Sequence, residues 1–127
     1  MSDSHSPQVG KIAWQDLTVP DAEAIRDFYA AVVGWNPDPV SMRDYSDYSM
    51  LIPGTGECVA GVCHARGANA KIPPQWLIYI TVEDAECSAK ACVERGGKII
   101  DGPRKMGKQT FVVIQDPAGA YAALISG

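Results

Sequence analysis

The chain has 127 residues, 46% of them hydrophobic and 20% charged, a composition that fits one globular domain and excludes wholesale disorder. Its 11 Lys and Arg against 15 Asp and Glu leave a net charge of −4, which excludes the basic excess of a nucleic-acid binder. Apolar runs stop at six residues, far short of the roughly 20 that span a bilayer, so a membrane is not an expected partner either.

Met1 to Pro7 is polar, with neither a basic nor an apolar block, so the expected compartment is the cytoplasm. Ile12 to Val19 is β-prone and stops at Pro20, which suits a first helical turn. Asp21 and Glu23 then fall at the positive end of the predicted helix. Ile25, Phe28, Tyr29 and Val32 recur at helical spacing and predict one apolar stripe, with Gly34 placed to end it. Short β-prone runs follow, separated by turn signals at Pro37-Asp38-Pro39, Arg43-Asp44 and Pro53-Gly54-Thr55-Gly56. The segment 67–74, which closes on Pro73-Pro74, predicts a linker. Trp76 to Val82 then predicts a strand, Asp84 to Arg95 a helix and Gly96-Gly97 its stop. Gly102-Pro103 and Asp116-Pro117-Ala118-Gly119 mark the later turns.

This order is a repeat. Thr18-Val19-Pro20-Asp21-Ala22-Glu23 matches Thr81-Val82-Glu83-Asp84-Ala85-Glu86 at five of six positions, at an offset of 63. The same offset carries Gly34 to Gly97, Gly56 to Gly119 and Ala60 to Ala123. The whole chain, 1–127, therefore reads as a single domain of two modules, 9–66 and 75–126, joined by 67–74. Each module runs strand, helix, three strands. Cys58, Cys63, Cys87 and Cys92 have neither zinc-site nor Cys-x-x-Cys spacing, and are expected to be small reduced core residues.

Two βαβββ modules of this length resemble the vicinal oxygen chelate superfamily, which includes glyoxalase I, bleomycin-resistance proteins and extradiol dioxygenases. Leu17-Thr18-Val19-Pro20-Asp21, Phe28-Tyr29, Val33-Gly34-Trp35 and Gln115-Asp116-Pro117-Ala118-Gly119 carry the resemblance. It implies an α+β fold in which two tandem modules form an incomplete eight-stranded, barrel-like sheet with the helices outside. It also implies a site on the first and last strands of each module, where metal-dependent members place His or Glu. Here those positions hold Trp14, Leu77, Ala123 and Ala60, or Gly61 if the register slips by one. None has a donor for a divalent cation, so no metal centre and no other cofactor is expected. An Asp16–His64 pair is the remaining candidate, and it supplies two ligands only; His5 lies in the polar tail.

Strand alternation aims Trp14, Asp16 and Thr18 into the expected cavity, with Leu77, Tyr79 and Thr81 as their counterparts. Cys58, Ala60, Val62 and His64 close module one, and Tyr121 and Ala123 close module two. Aromatic, small apolar and a few polar groups are what small-molecule pockets contain; the alternative is that Trp14, Leu77 and Tyr121 fill a closed core. A carboxylate at Asp16 must be paired or wet, because desolvation is costly. It reads either as a general base or ligand anchor with a raised pKa, or as a structural acceptor for Tyr79, Gln15 or a backbone amide. Asp16 and His64 are the two catalytic candidates. Arg104, Lys105 and Lys108, with Lys98 before them, form a basic cluster that either steers an anion or is a solvated hairpin.

The expected function is small-molecule binding, similar to the bleomycin-resistance branch. The alternative is a lyase or isomerase of the same superfamily, metal-free or using other ligands. A third reading is a structural or regulatory partner without a ligand. A homodimer is expected from the resemblance.

Overall fold

Asp21 and Asp84 open the two helices in the same way. The Asp21 carboxylate accepts from Ala24 N at 3.1 Å, and the Asp84 carboxylate accepts from Glu86 N and Cys87 N at 2.9 and 3.2 Å. Each satisfies amides that a first helical turn leaves unpaired. The helices are α1 (Ala22–Val33) and α2 (Ala85–Glu94). Pro20 therefore precedes the cap and lies outside the first turn.

The computed structural model describes residues 8–127, so His5 lies outside the described residues. The described residues divide into two compact units: residues 14–76, and residues 77–127 with residues 8–13. The first contains β1 (Ile12–Val19, its first two residues apart), β2 (Asn36–Ser41), β3 (Ser46–Leu51) and β4 (Cys58–His64), in the order β2-β3-β4-β1. The second contains β5 (Trp76–Thr81, after Trp76), β6 (Lys98–Met106), β7 (Gln109–Gln115) and β8 (Tyr121–Ser126), in the order β5-β8-β7-β6. In each, the first strand pairs in parallel with the last, and the hairpins are antiparallel. Eight strands in mixed pairing with two helices make the α+β class.

In the first unit Leu17, Val19, Ala22, Tyr48, Met50, Ala60 and Val62 form the core, with Ile25 and Tyr29 of α1 packed on it. Met50 and Val62 are wholly buried, each contributing roughly 1.5–3 kcal/mol. The predicted stripe of α1 is only half used: Phe28 and Val32 are 53% and 64% exposed. In the second unit Ala85 and Ala89 of α2 pack on Val112 and Leu124, with Ile80, Val82, Ile99 and Ile114 around them.

Two expected turns are strand. Pro37-Asp38-Pro39 lies inside β2, where Pro37 and Pro39 stand opposite Met50 and Tyr48. An edge strand tolerates this, because prolines two apart can turn their missing donors to the unpaired side. Gly102-Pro103 lies inside β6, where the pairing with β7 shifts register between Asp101 and Arg104. The linker contains a 3₁₀ turn, Gly67–Lys71. Cys58 and Cys87 are exposed rather than core residues, and all four cysteines are free thiols.

The repeat offset changes along the chain. It is 63 at the helix caps, Asp21 and Asp84. The left-handed glycine closing α1 is Gly34 (φ 93°), whereas after α2 it is Gly96 (φ 96°), not Gly97. The helix of the second module stops earlier, so its chain leaves α2 one residue short. The last strands also depart from 63: Asp16 pairs with Gly61, while its counterpart Tyr79 pairs with Ala123. The counterpart of Ala123 is Gly61, at an offset of 62.

Candidate functional site

Leu17 and Val19 pack toward α1, so alternation turns Trp14, Asp16 and Thr18 to the other face of β1. Trp14 and Asp16 are half-buried there and Thr18 is buried. Parallel partners share a face, which brings Gly61 and Cys63 of β4 beside Asp16 and Thr18. A Cβ at Gly61 would stand 3.2 Å from Asp16 Cβ, 3.4 Å from Trp14 Cζ2 and 3.8 Å from Cys63 Sγ. The bare backbone at Gly61 is therefore what lets the carboxylate and the indole close over β4. Burial pushes the Cys63 thiol up to about 12, helped by the negative charges of Asp16 and Asp47 and a hydrogen bond to Asp47. Cys63 is a neutral thiol at physiological pH, not a nucleophile.

Ala60 and Val62 are on the opposite, helix-facing side, inside the core with Leu17 and Val19. His64 is the partner of Val19 and shares that side. Its Nδ1 lies 3.3 Å from Asp47 Oδ1 and its Nε2 3.8 Å from Glu23 Oε1 of α1. Asp47 also accepts from His64 N at 2.9 Å, and the Tyr45 ring stands edge-on at 5.2 Å. The expected Asp16–His64 pair does not assemble. The one-residue change in offset puts Gly61, not Ala60, in the row with Asp16, and His64 three residues on falls on the other face.

In the second unit Ile80 and Val82 pack toward α2, so Leu77, Tyr79 and Thr81 face away from it, as expected. Tyr79 pairs with Ala123 and Thr81 with Ile125, and Tyr121 lies in the same row. Leu77 is 2% exposed and Ala123 wholly buried, so these two are packing residues, while Tyr79, Thr81 and Tyr121 are half-buried. Tyr79 stacks on Phe111 with centroids 6.0 Å apart and planes 21° from parallel. The Arg104 guanidinium lies over the Phe111 ring, 4.7 Å from its centroid. Its guanidinium is held by Asp101, with Nη2 to Oδ2 at 3.0 Å and Nε to the two oxygens at 3.3 and 3.2 Å. Of the basic cluster expected to steer an anion, Arg104 is thus already paired, which leaves Lys98, Lys105 and Lys108 as its other exposed cations.

Sequence reading reached Gly61 only as a one-residue slip of register, and missed Cys63, Phe111 and Asp101 as parts of these faces and the pairing of Arg104. An offset of 62 instead of 63 between the last strands would have placed Gly61 and Cys63.

The family model for the Glyoxalase/Bleomycin resistance protein/Dioxygenase superfamily matches residues 11–124, and the chain belongs to that superfamily. It is 30% identical over 128 residues to the anthracycline biosynthesis protein DnrV of Streptomyces peucetius, covering 91% of this chain and 46% of that protein. It is 27% identical over 119 residues to the putative glyoxylase CFP32 of Mycobacterium bovis, covering 93% and 44%. The chain spans just under half the length of these curated relatives. Among solved structures it resembles Streptomyces coelicolor methylmalonyl-CoA epimerase, at a TM-score of 0.58 and 14% identity over 94% of this chain and 99% of the other. It also resembles a superfamily member from Vibrio splendidus, at 0.59 and 12% over 90% and 97%. Identities this low establish a shared fold.

The residues present do not fit the metal that such a fold implies. Trp14, Gly61, Leu77 and Ala123 bring no side-chain donor for a divalent cation to their strands. Among the described residues no group of three or more His, Cys, Asp or Glu side chains could hold an ion.

Proposed function

We propose that the chain binds a small organic molecule against the face of β1 that carries Trp14 and Asp16, without a metal centre. The observation behind this reading is the half-buried Asp16 carboxylate beside the Trp14 indole, over a strand whose side chain is deleted at Gly61. An aromatic wall with one charged anchor is a recognition surface for a compact polar ligand. Thr18 is the further ligand-binding candidate on that face; Ala60 and His64, on the helix side, are not on it. In the second unit, taken by itself, Tyr79, Thr81 and Tyr121 are the half-buried candidates on the face of β5 and β8 turned away from α2.

A second reading is a lyase- or isomerase-type enzyme in which Asp16 is the general base. Asp16 is its one well-placed proton acceptor, and the neutral Cys63 thiol beside it offers no competing nucleophile. The names of the relatives, a biosynthesis protein and a putative glyoxylase, favour an activity on small organic compounds.

The test is a thermal-shift screen of small carbonyl and carboxylate compounds, repeated on Asp16→Asn. A saturable stabilisation that Asp16→Asn loses, with its own melting temperature nearly unchanged, supports the anchor. A variant that melts lower yet binds as well as the parent assigns Asp16 a structural role and overturns the proposal. Turnover abolished by a chelator overturns its metal-free part.

We also propose that the chain works as a homodimer. Val40 and Met42, 43% and 41% exposed at the edge strand β2 and just beyond it, are apolar surface that a second copy would cover.

A further inference from the structure

A cavity lies on the helix side of β1, away from Asp16. It has a volume of about 310 Å³ and opens between α1 and the segment leading into β5, with Leu17 and Val19 as its floor and Phe28, Tyr29, Gln75 and Trp76 among its walls. That volume is at the lower end of ligand pockets. No lining side chain is charged, so nothing there would offset the desolvation of an ionic ligand.

The aromatic walls are held in place. Tyr29 meets Trp76 edge-on at 5.3 Å and Phe28 edge-on at 5.1 Å, and Trp35 braces both Tyr29 and Trp76 at 5.9 Å. Trp76 Nε1 donates to the Tyr29 hydroxyl at 3.1 Å. An indole N–H is a donor only, so this bond occupies a lone pair on the Tyr29 oxygen and leaves the phenolic proton to be given elsewhere. Phe28 is 53% exposed at the rim, a cost in apolar exposure that a flat ligand would remove.

We propose that this cavity binds a flat, uncharged aromatic compound carrying one hydrogen-bond acceptor, such as an aromatic ketone, with the ring against Phe28 and Trp76 and the acceptor on the Tyr29 hydroxyl. The lining selects each element of that description. Aromatic edges and faces select a ring, the uncharged walls reject a carboxylate, and the oriented phenol selects a carbonyl over a plain hydrocarbon. The site is independent of the ligand proposed for the opposite face of β1.

The experiment titrates the full chain, labelled with ¹⁵N, with 2-acetylnaphthalene, naphthalene and naphthalene-2-carboxylate, and follows the three tryptophan indole N–H signals. The ketone is expected to move Trp76 and Trp35 saturably and to leave Trp14 in place. Naphthalene should bind about fivefold more weakly, the equivalent of one ordinary hydrogen bond, and the carboxylate should not saturate. Tyr29→Phe should bring the ketone down to the affinity of naphthalene. Phe28→Ala should weaken both neutral compounds together, and since that side chain is half-exposed the fold will survive. Movement of Trp14 alone, absence of any shift up to the solubility limit, or a ketone preference that persists in Tyr29→Phe would each overturn the proposal.

Discussion

Asp16 and Gly61 are partners across the parallel pairing of β1 with β4, and a Cβ on Gly61 would stand 3.2 Å from that of Asp16. Close approach here depends on glycine, and the neighbour that must yield carries the carboxylate of the proposed site. Gly61→Ala is expected to cost about 1 kcal/mol of stability, the small end of overpacking penalties, and to weaken ligand binding by displacing Asp16 and Trp14. Gly97→Ala is the comparison. Its Cβ would meet the Gln115 carbonyl oxygen at 2.9 Å as well as Cys92, and backbone cannot give way as a side chain does. Denaturant melts should rank Gly97→Ala below Gly61→Ala; the reverse order would contradict the packing described.

The thiols should react in order of exposure and acidity. Cys58 and Cys87 are exposed, and Cys63 is held neutral by burial and by Asp16 and Asp47. At pH 8 a disulfide reagent should modify Cys58 first, then Cys87, which is as exposed but is held protonated by its hydrogen bond to Asp84 and the charge there, and Cys63 only when denaturant opens the sheet. The raised value also links to stability. A thiol whose folded pKa exceeds its unfolded one favours the fold fully below about 9.0, and that contribution is lost as pH rises toward about 12. Cys63→Ala should remove this part of the alkaline loss, read from melting temperature against pH.

Asp84 gives the opposite pH dependence. The Cys87 amide and side chain and the Glu86 amide hold its carboxyl below the usual 3.8. A depressed folded pKa means that the cap is at full strength above the ordinary value and weakens as pH falls through it to the folded value. Asp84→Asn keeps an acceptor for the helix amides and should melt near the parent at pH 7. It should also lose less on acidification. Equal acid sensitivity in the two proteins would show that Asp84 is not a source of it.

Asp47 ties β3 to the end of β4 through the His64 amide and ring. Its side chain is only 16% exposed. Asp47→Ala leaves the His64 amide without its acceptor and should cost about 1–3 kcal/mol, whereas Asp47→Asn should recover much of that. Chemical denaturation of the pair decides it. Equal losses would show that the charge, not the acceptor, is what matters.

The homodimer predicts a concentration-dependent mass. Sedimentation at micromolar concentration should give twice 13.6 kDa, and Val40→Lys with Met42→Lys should return the single-chain value. A 13.6 kDa species in the parent protein would remove the proposal.

Much of this molecule is written locally. Helix caps at Asp21 and Asp84, the strand of Ile12–Val19, the turns at Pro53–Gly56 and Asp116–Gly119, and the module order all follow from short-range patterns. A cap, a left-handed glycine and a period of two each depend on a few neighbouring residues, so one chain in isolation suffices to read them. The faces of β1 and β5 were legible for the same reason, and with them Trp14, Asp16, Leu77 and Tyr79. What only the tertiary structure decided is the partner of each strand. The pairing of β1 with β4 sets Asp16 opposite Gly61 and Thr18 opposite Cys63, and because side chains alternate along a strand, a register one residue away from the repeat offset of 63 puts Ala60 and His64 on the helix side instead. Pairing register is a contact between segments some 45 residues apart in the chain, set by how α1 and the hairpins pack, and no local pattern carries it. The same holds for Arg104, whose charge is legible in the chain but whose pairing with Asp101 depends on the irregular path of β6 over Phe111.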